Sequence, residues 1–430
     1  MTPFAYRGGE LCVEEVPLAT LAERFGTPLY VYSANRIRDR IRAFKRAFAD
    51  LPVRFCYAVK ANPHLAVLRI VAQEGVGADT VSGGEIERAL AAGIAAERIV
   101  FAGVAKTDEE IRLGIEAGIL QFNVESPGEL ERIAALAAAL GRVAPVALRV
   151  NPDIAAPTHG KIATGRRGDK FGIPLGEVPA LFARARALST VDLVGLHFHI
   201  GSQITALAPL VSAWERARDL LLDLRRSGLP VQRLDLGGGF GVRYRDEEPP
   251  MPEALAREVR RLFDGLEVEL IFEPGRAFVA DAGVLLARVI ERKESAGLRF
   301  LIVDAGMHTL LRPALYDAFH AIVPVKEPAA ADERLVFDVV GPICESSDVL
   351  GRNRLLPPLD AGALVAILTV GAYGATMATD YNSRPRPAEL LVDGSRVAVI
   401  RKRREPRELF ADELVPDWLS GPGGAGGDVP

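Results

Sequence analysis

The chain has 430 residues, 49% of them hydrophobic and 25% charged, with a formal net charge of −4. That composition belongs to a globular protein able to bury a sizeable core without disulfides, and it excludes a largely disordered chain. With 52 basic residues against 56 acidic ones there is no electrostatic footprint for nucleic acid or an anionic membrane, so neither is expected as a partner.

Residues 1–27 are too short for a domain and are expected to associate with β structure elsewhere. Their start, MTPFAYRGGELCVEEV, carries acids where an export signal needs an apolar run. From residue 54 apolar, β-branched runs recur: RFCYAV, VGADTV, RIVFAG and LQFNVE start at 54, 76, 98 and 120, a spacing of 22 residues. PVALRV, LVGLHFHI, VQRLDL and EVELIFE follow, from 145 to 273. Helical patterns such as SGGEIERALAAGI and SPGELERIAALAAALG lie between the early ones. Strand–helix–strand at this spacing implies parallel pairing, and eight units predict a (β/α)8 TIM barrel over 28–280. A doubly wound sheet is the competitor, but no G-x-G-x-x-G follows the first strand.

Past residue 280 the pattern changes. LRFLIVDA, HAIVPV, RLVFDVV and ALVAILTV are strand-like without long helices, and ELLVDGSRVAVI carries an Asp393-Gly394 hairpin turn. Residues 281–418 are therefore expected to form a mostly β domain, a sandwich or barrel, with 419–430 a flexible tail. The uncharged stretch from 361 to 379 approaches bilayer-spanning length, but its glycines, threonines and tyrosine read as buried β structure. The cysteines, Cys12, Cys56 and Cys344, are odd in number and lack metal spacing, which fits a reducing cytoplasm.

A TIM barrel keeps its chemistry at the carboxyl ends of its strands. Lys60 follows the first run, Asp79 and Ser82 the second, Arg149 and Asn151 the fifth. His197, His199 and Ser202 follow the sixth, Gly237, Gly238 and Gly239 the seventh, and Glu273, Gly275 and Arg276 the eighth. The glycine run is either a tight turn or a cradle whose N–H groups close on an anion. Its place after strand seven favours a phosphate. Lys60 is either a snorkelling rim lysine or a carbonyl-binding one. His199 is either a core histidine or a ring-stacking one. A lysine, a phosphate cradle and an acid together are what pyridoxal 5'-phosphate needs, the acid keeping its pyridine nitrogen protonated.

The segments GTPLYVYS, YAVKAN, DTVSGGE, FNVES, THGKIATG, DKFGI, HFHIGSQ, DLGGGFG, EPGR, RPALYDAFH, CESSD and GAYGATMATDYNSRPRP carry a resemblance. The chain resembles the barrel-type pyridoxal-phosphate decarboxylases that share the alanine racemase barrel, and among them the diaminopimelate branch, from about residue 25 to 402. YAVKAN, HIGSQ and EPGR are shared across that superfamily; RPALYDAFH, CESSD and YNSRPRP are similar to the diaminopimelate branch alone. The resemblance implies that Lys60 carries the cofactor and that His199 stacks on its ring. It implies that Asp79, Ser202, Gly238, Gly239, Glu273, Gly275, Arg276 and Tyr373 bind the cofactor. Arg276, Arg312, Tyr316, Glu345 and Tyr373 would contact substrate, and Cys344 would be the general acid. Active sites are shared across a homodimer in such enzymes, the partner supplying the Cys344-Glu345 segment.

The implied activity is decarboxylation of meso-2,6-diaminopimelate to L-lysine, the last step of bacterial lysine biosynthesis. A related decarboxylase acting on carboxynorspermidine, arginine or a D-amino acid is the alternative. The distal charges of diaminopimelate suit Glu345 for the ammonium and Arg276 with Arg312 for the carboxylate. Cys344 is either a small buried hydrophobe or a proton donor. Its C-E-S-S-D setting favours the latter, and a thiol with pKa near ~8.5 is mostly protonated at neutral pH.

Overall fold

The computed structural model describes residues 3–154, 164 and 168–419. Eight strands are paired in parallel in chain order: Val53–Ala58, Gly77–Thr80, Ile99–Phe101, Gln121–Val124, Ala144–Asn151, Val191–Phe198, Arg233–Asp235 and Glu269–Phe272. The eighth pairs back onto the first, Leu270 opposite Val53 and Phe272 opposite Phe55, so the sheet closes into the expected barrel. Each strand falls within, or overlaps, one of the apolar runs. The runs look continuous rather than alternating because both faces of a barrel strand are buried. Gln121–Val124 is buried at all four positions, polar Gln121 and Asn123 included.

The intervening helices start where short polar side chains cap them. Ser82 accepts from Glu85 N–H and Ser126 from Glu129 N–H, and Thr107 with Glu110 forms a reciprocal capping box. Helix Asp108–Ala117 ends at Gly118 in the left-handed region (φ 72°), which glycine adopts without a Cβ penalty. The helix Ala34–Ala47 packs its Phe44 edge-on against Phe55 and Phe278, with ring centroids 6.0 and 5.3 Å apart.

The second unit is mostly β. Gly283–Ser295, a long strand, leads from the barrel and pairs with Leu298–Val303 and Leu364–Leu368. The Asp393-Gly394 turn does join a hairpin, Ala388–Asp393 with Arg396–Arg401. The uncharged stretch from 361 contains the buried strand Leu364–Leu368, and no helix among the described residues is long and apolar enough to cross a membrane.

One segment differs from the sequence-based division. Leu29–Ser33, assigned to the barrel unit that starts at 28, lies in the β unit. It pairs antiparallel with Gly283–Leu286 and parallel with Ala388–Val392. Its five residues are all buried because both faces are covered, so its apolar run has the same appearance as a barrel strand. The first residues form a small sheet, Phe4–Arg7, Glu10–Val13 and Val16–Pro17, and Leu11 N–H donates to Val325 O at 2.8 Å in the β unit. Of the tail, residues 420–430 lie outside the described residues, as does most of the THGKIATG segment.

The two units are tied by Asp281, in the turn that leaves the barrel. It accepts from Arg36 at 2.6 Å and from Arg40, both on the helix that follows Leu29–Ser33. Burial raises its carboxyl, but the two guanidiniums outweigh burial and hold it below its ordinary value. A depressed folded-state pKa adds stability above the unfolded value, ~3.9, and that stability fades as pH falls through the lower folded value. Asp281→Ala is expected to cost about 2 kcal/mol at neutral pH. In a thermal melt, the gap from the parent chain should be widest above pH 5 and narrow in acid.

Candidate active site

The carboxyl rim of the barrel gathers the polar residues. Lys60 sits in a 3-10 turn, Val59–Ala61, directly after the first strand. Its Nζ lies 2.6 Å from Asp79 Oδ2 on the second strand. Asp79 is buried, whereas the Lys60 side chain is 37% exposed and so open to a ligand. Burial works against the ammonium, but Asp79, Tyr373 and Glu273 outweigh it and hold Lys60 above its usual value. Asp79 is pushed up to about 7, by burial first and Glu273 next, with Lys60 opposing.

Glu273 follows the eighth strand and is buried. His197 Nε2 donates to its Oε2 at 3.3 Å, and Asn123 Nδ2 donates to its Oε1 at 3.3 Å. Burial alone would raise this carboxyl; His197, Lys60 and His199 reverse that and hold it well below the usual carboxylate range. His199 is pushed down to about 3 by burial and by Arg149, so its ring is neutral at working pH. Gly238 N–H donates to its Nδ1 at 3.3 Å, which fixes the ring.

The glycine run is built for close approach. A Cβ at Gly238 would sit 2.1 Å from Glu273 O, and one at Gly239 2.4 Å from Gly201 O. Gly239 has φ 89°, a conformation that favours glycine. Gly275 opens the short helix Arg276–Val279, and a Cβ there would meet Ala58 Cβ at 2.8 Å. Tight-turn and cradle readings therefore coincide, since the turn is what brings bare backbone to the rim.

Two buried arginines complete the site. Arg276 donates from Nη2 to Ser202 Oγ at 2.9 Å and from Nη1 to Tyr244 OH at 2.6 Å, and its guanidinium lies 4.7 Å from the Tyr373 ring centre. Burial lowers its pKa, but Tyr244 and Tyr373 raise it further. Arg312 opens the helix Arg312–Tyr316 of the β unit and stacks 4.7 Å from the same Tyr244 ring. Its Nη1 donates to His320 Nε2 at 2.8 Å, while His320 Nδ1 donates to Leu368 O at 2.9 Å. Burial, then Arg312, pushes His320 down to about 3, so it accepts as a neutral ring. Tyr316, half-buried, lies near enough to Arg276 to favour its charge. Tyr373, with φ 57°, is anchored by its N–H to Ala61 O at 2.8 Å, beside Lys60.

The structure thus brings together Lys60, Asp79, His199, Ser202, Gly238, Gly239, Glu273, Gly275, Arg276, Arg312, Tyr316 and Tyr373. It does not bring Cys344 or Glu345 to them within one chain. Both are exposed. Glu345 accepts from Tyr381 OH at 2.6 Å and Ser347 Oγ at 2.9 Å, contacts that hold its carboxyl below its usual value. Sequence reasoning missed Tyr244, Asn123, Asp235 and His320. Asp235, Asn123 and His320 stood inside quoted motifs, DLGGGFG, FNVES and RPALYDAFH, without being singled out; Tyr244 lies in a loop that gives no periodic signal.

These residues fit pyridoxal phosphate. Lys60 is reachable, Glu273 is ionised and aimed into the rim, and the glycine run leaves no room for side chains. Two buried polar atoms at the site, Arg276 Nε and Asp79 Oδ1, have no partner among the described residues. Fold and site together define a pyridoxal-phosphate barrel enzyme. The family model for the pyridoxal-binding domain of pyridoxal-dependent decarboxylases matches residues 34–280. The chain belongs to the pyridoxal-dependent decarboxylases and, within them, to the diaminopimelate decarboxylase family. It is 47% identical over 424 residues to the diaminopimelate decarboxylase of Zymomonas mobilis, covering 97% of this chain and 100% of that one. Identity to the Pseudomonas aeruginosa enzyme is 48% over 417 residues, covering 97% and 100%. The crystal structure of diaminopimelate decarboxylase from M. jannaschii in complex with L-lysine superposes with a TM-score of 0.92 at 38% identity, covering 97% and 100%.

Proposed function

We propose that the chain decarboxylates meso-2,6-diaminopimelate to L-lysine and carbon dioxide with pyridoxal phosphate as cofactor. The observation that carries the substrate is the pair of buried guanidiniums, Arg276 and Arg312, converging on Tyr244, with Arg276 also stacked on Tyr373, which is anchored next to Lys60. Two buried cations without a carboxylate partner among the described residues are costly to bury and repel a substrate that ends in an ammonium alone. A substrate whose far end carries a carboxylate satisfies them, and a planar guanidinium can grip it bidentately. L-lysine bound to the M. jannaschii relative is the product this reaction requires.

The bound cofactor supplies an electron sink for the pair left on Cα when carbon dioxide departs. Lys60 would hold the cofactor through its carbonyl carbon, at the place where the substrate amine has to engage it. Glu273, kept ionised by His197 and Asn123, holds a proton at the ring nitrogen. His199, neutral and fixed by Gly238, would support the cofactor's ring. Ser202, Gly239 and the backbone at Gly275 and Arg276 hold the phosphate. Glu345 takes the distal ammonium, and the Cys344 thiol donates the proton that replaces the carboxylate at Cα.

Cys344 and Glu345 are exposed in the single chain, so this reading requires a homodimer in which each chain's segment completes its partner's site. A proton-donating thiol must stay reduced, which assigns the enzyme to the cytoplasm. Arg312→Ala is expected to lower kcat/KM for diaminopimelate by about 100-fold or more, mostly through KM. Steady-state kinetics with unchanged kcat/KM would remove Arg312 from the substrate site.

A further inference from the structure

Asp235 ends the seventh strand and is fully buried. No mechanism step uses it, yet it stands directly behind Glu273. One side-chain N or O atom each of His197, Asp235 and Glu273 lie within 4.8 Å of one another, and the two carboxyl groups share one amide, Asn123 Nδ2, at 3.5 Å from Asp235 Oδ2 and 3.3 Å from Glu273 Oε1. Two buried carboxylates this close repel each other strongly, so one of them is favoured to carry a proton. The surroundings decide which one. Glu273 has His197 Nε2 at 3.3 Å and Lys60 nearby, while the neutral His199 ring adds no charge. Asp235 accepts from Gly237 N–H at 3.0 Å and has an amide, Asn123 Nδ2, at 3.5 Å. No Lys, Arg or His among the described residues forms an ion pair with it. The one base that faces it among the described residues is His197, within 4.8 Å but turned to Glu273 Oε2 at 3.3 Å; the other titratable groups are Glu273, Asp79 and the Cys56 thiol, none of them cationic.

We infer that Asp235 is a positioning residue that stays protonated and donates to Glu273. Of this pair of acids only Glu273 then carries a negative charge, on the carboxylate that serves the cofactor's ring nitrogen. Burial, reinforced by Glu273, also pushes the Asp235 carboxyl well above its usual range, in the same direction as the geometry. The neutral acid does two things that an ionised one would not. It adds no second charge beside the ring, and it leaves one lone pair of Glu273 occupied, which fixes the carboxylate's rotation. Gln121 Nε2 donates to Asn123 Oδ1 at 2.8 Å and Lys106 Nζ to Asn123 O at 2.9 Å, so the amide beside both acids is itself held in place. This inference rests on the reading that Glu273 faces the ring nitrogen.

The test is infrared spectroscopy of the full-length holoenzyme and of the same chain freed of cofactor, at pH 7 to 8 in H2O and D2O. A protonated, buried carboxyl gives a C=O band that shifts in D2O. The band should be present in the parent chain and absent in Asp235→Asn, which keeps the volume and a donor. A parent chain without the band overturns the inference. So does a band that survives in Asp235→Asn but is lost in Glu273→Gln, since the proton would then sit on Glu273. In the holoenzyme, Asp235→Asn should move the pH titration of the cofactor's absorption by less than ~0.5 unit, because no charge is removed; a shift of ~1 unit or more would mean an ionised Asp235. Glu273→Gln separates the two readings. If it leaves the cofactor's absorption unchanged, the ring-nitrogen role fails, while the infrared result on the cofactor-free chain still decides where the proton is.

Discussion

Lys60→Ala is expected to lower kcat by at least ~1,000-fold while the chain still folds. Lys60 is not part of the packing. Its backbone turn is held by Ala58 N–H to Pro274 O and by Tyr373 N–H to Ala61 O, and neither bond uses the side chain. The side chain's one ion pair is with Asp79, which without it becomes a buried acid lacking its cation and takes up a proton. Removal therefore costs little stability but takes away the amine that fixes the cofactor covalently. Borohydride treatment followed by mass spectrometry should label the parent chain and not the variant. Lys60→Arg sharpens the comparison, because a guanidinium restores charge opposite Asp79 yet cannot form the bond. Activity retained in Lys60→Arg would contradict the role given to Lys60.

The second large effect concerns Cys344. Cys344→Ala is expected to lose ~100-fold or more in lysine formation, as removal of a positioned proton donor does. Its placement yields a sharper expectation. In a symmetric dimer with shared sites, a mixed dimer of Lys60→Ala and Cys344→Ala chains has one site with both defects and one with neither. Two inactive preparations, dissociated and reassociated in equal amounts, should regain about a quarter of parental activity: half the dimers are mixed and half their sites intact. If Lys60 and Cys344 of one chain served the same site, every site would carry a defect and nothing would be regained. The exposed setting of Cys344 and Glu345, held among Tyr381, Ser347 and solvent rather than at the Lys60 rim, is the reason to expect recovery.

How far the sequence reached depended on which residues local pattern can report. Most of the eight barrel strands were legible because they are buried on both faces and appear as largely apolar runs; Arg233–Asp235, with two polar residues of three, was legible through its neighbours in VQRLDL. Leu29–Ser33 has the same property for a different reason, being an interior strand of the other sheet, so its run could not show to which unit it belonged. Lys60, Asp79, Ser202, Glu273 and Arg276 were legible as polar residues breaking an apolar strand at its carboxyl end. Tyr244 was not, because its role exists only through contact with Arg276 and Arg312, both distant from it in sequence, and His320, eight residues after Arg312, gains its role only through the folded contact with that arginine. Asp235 stood in plain view before the glycine run, but its importance comes from the absence of a nearby cation, and only the assembled barrel establishes that. The buried pair Lys106 and Glu129, 2.6 Å apart behind Asn123, also gave no signal, since each residue alone resembles an ordinary helix-start charge.

The central claim is that this site takes a substrate with a carboxylate at its far end. The direct measurement is carbon dioxide release by the holoenzyme from meso-diaminopimelate, with lysine, ornithine and arginine assayed alongside at equal concentration. Release from diaminopimelate, with L-lysine as the sole amino-acid product and at least ~100-fold less release from the other three, is the predicted result. Comparable release from lysine or ornithine would contradict it, because Arg276 and Arg312 would then have no carboxylate to hold.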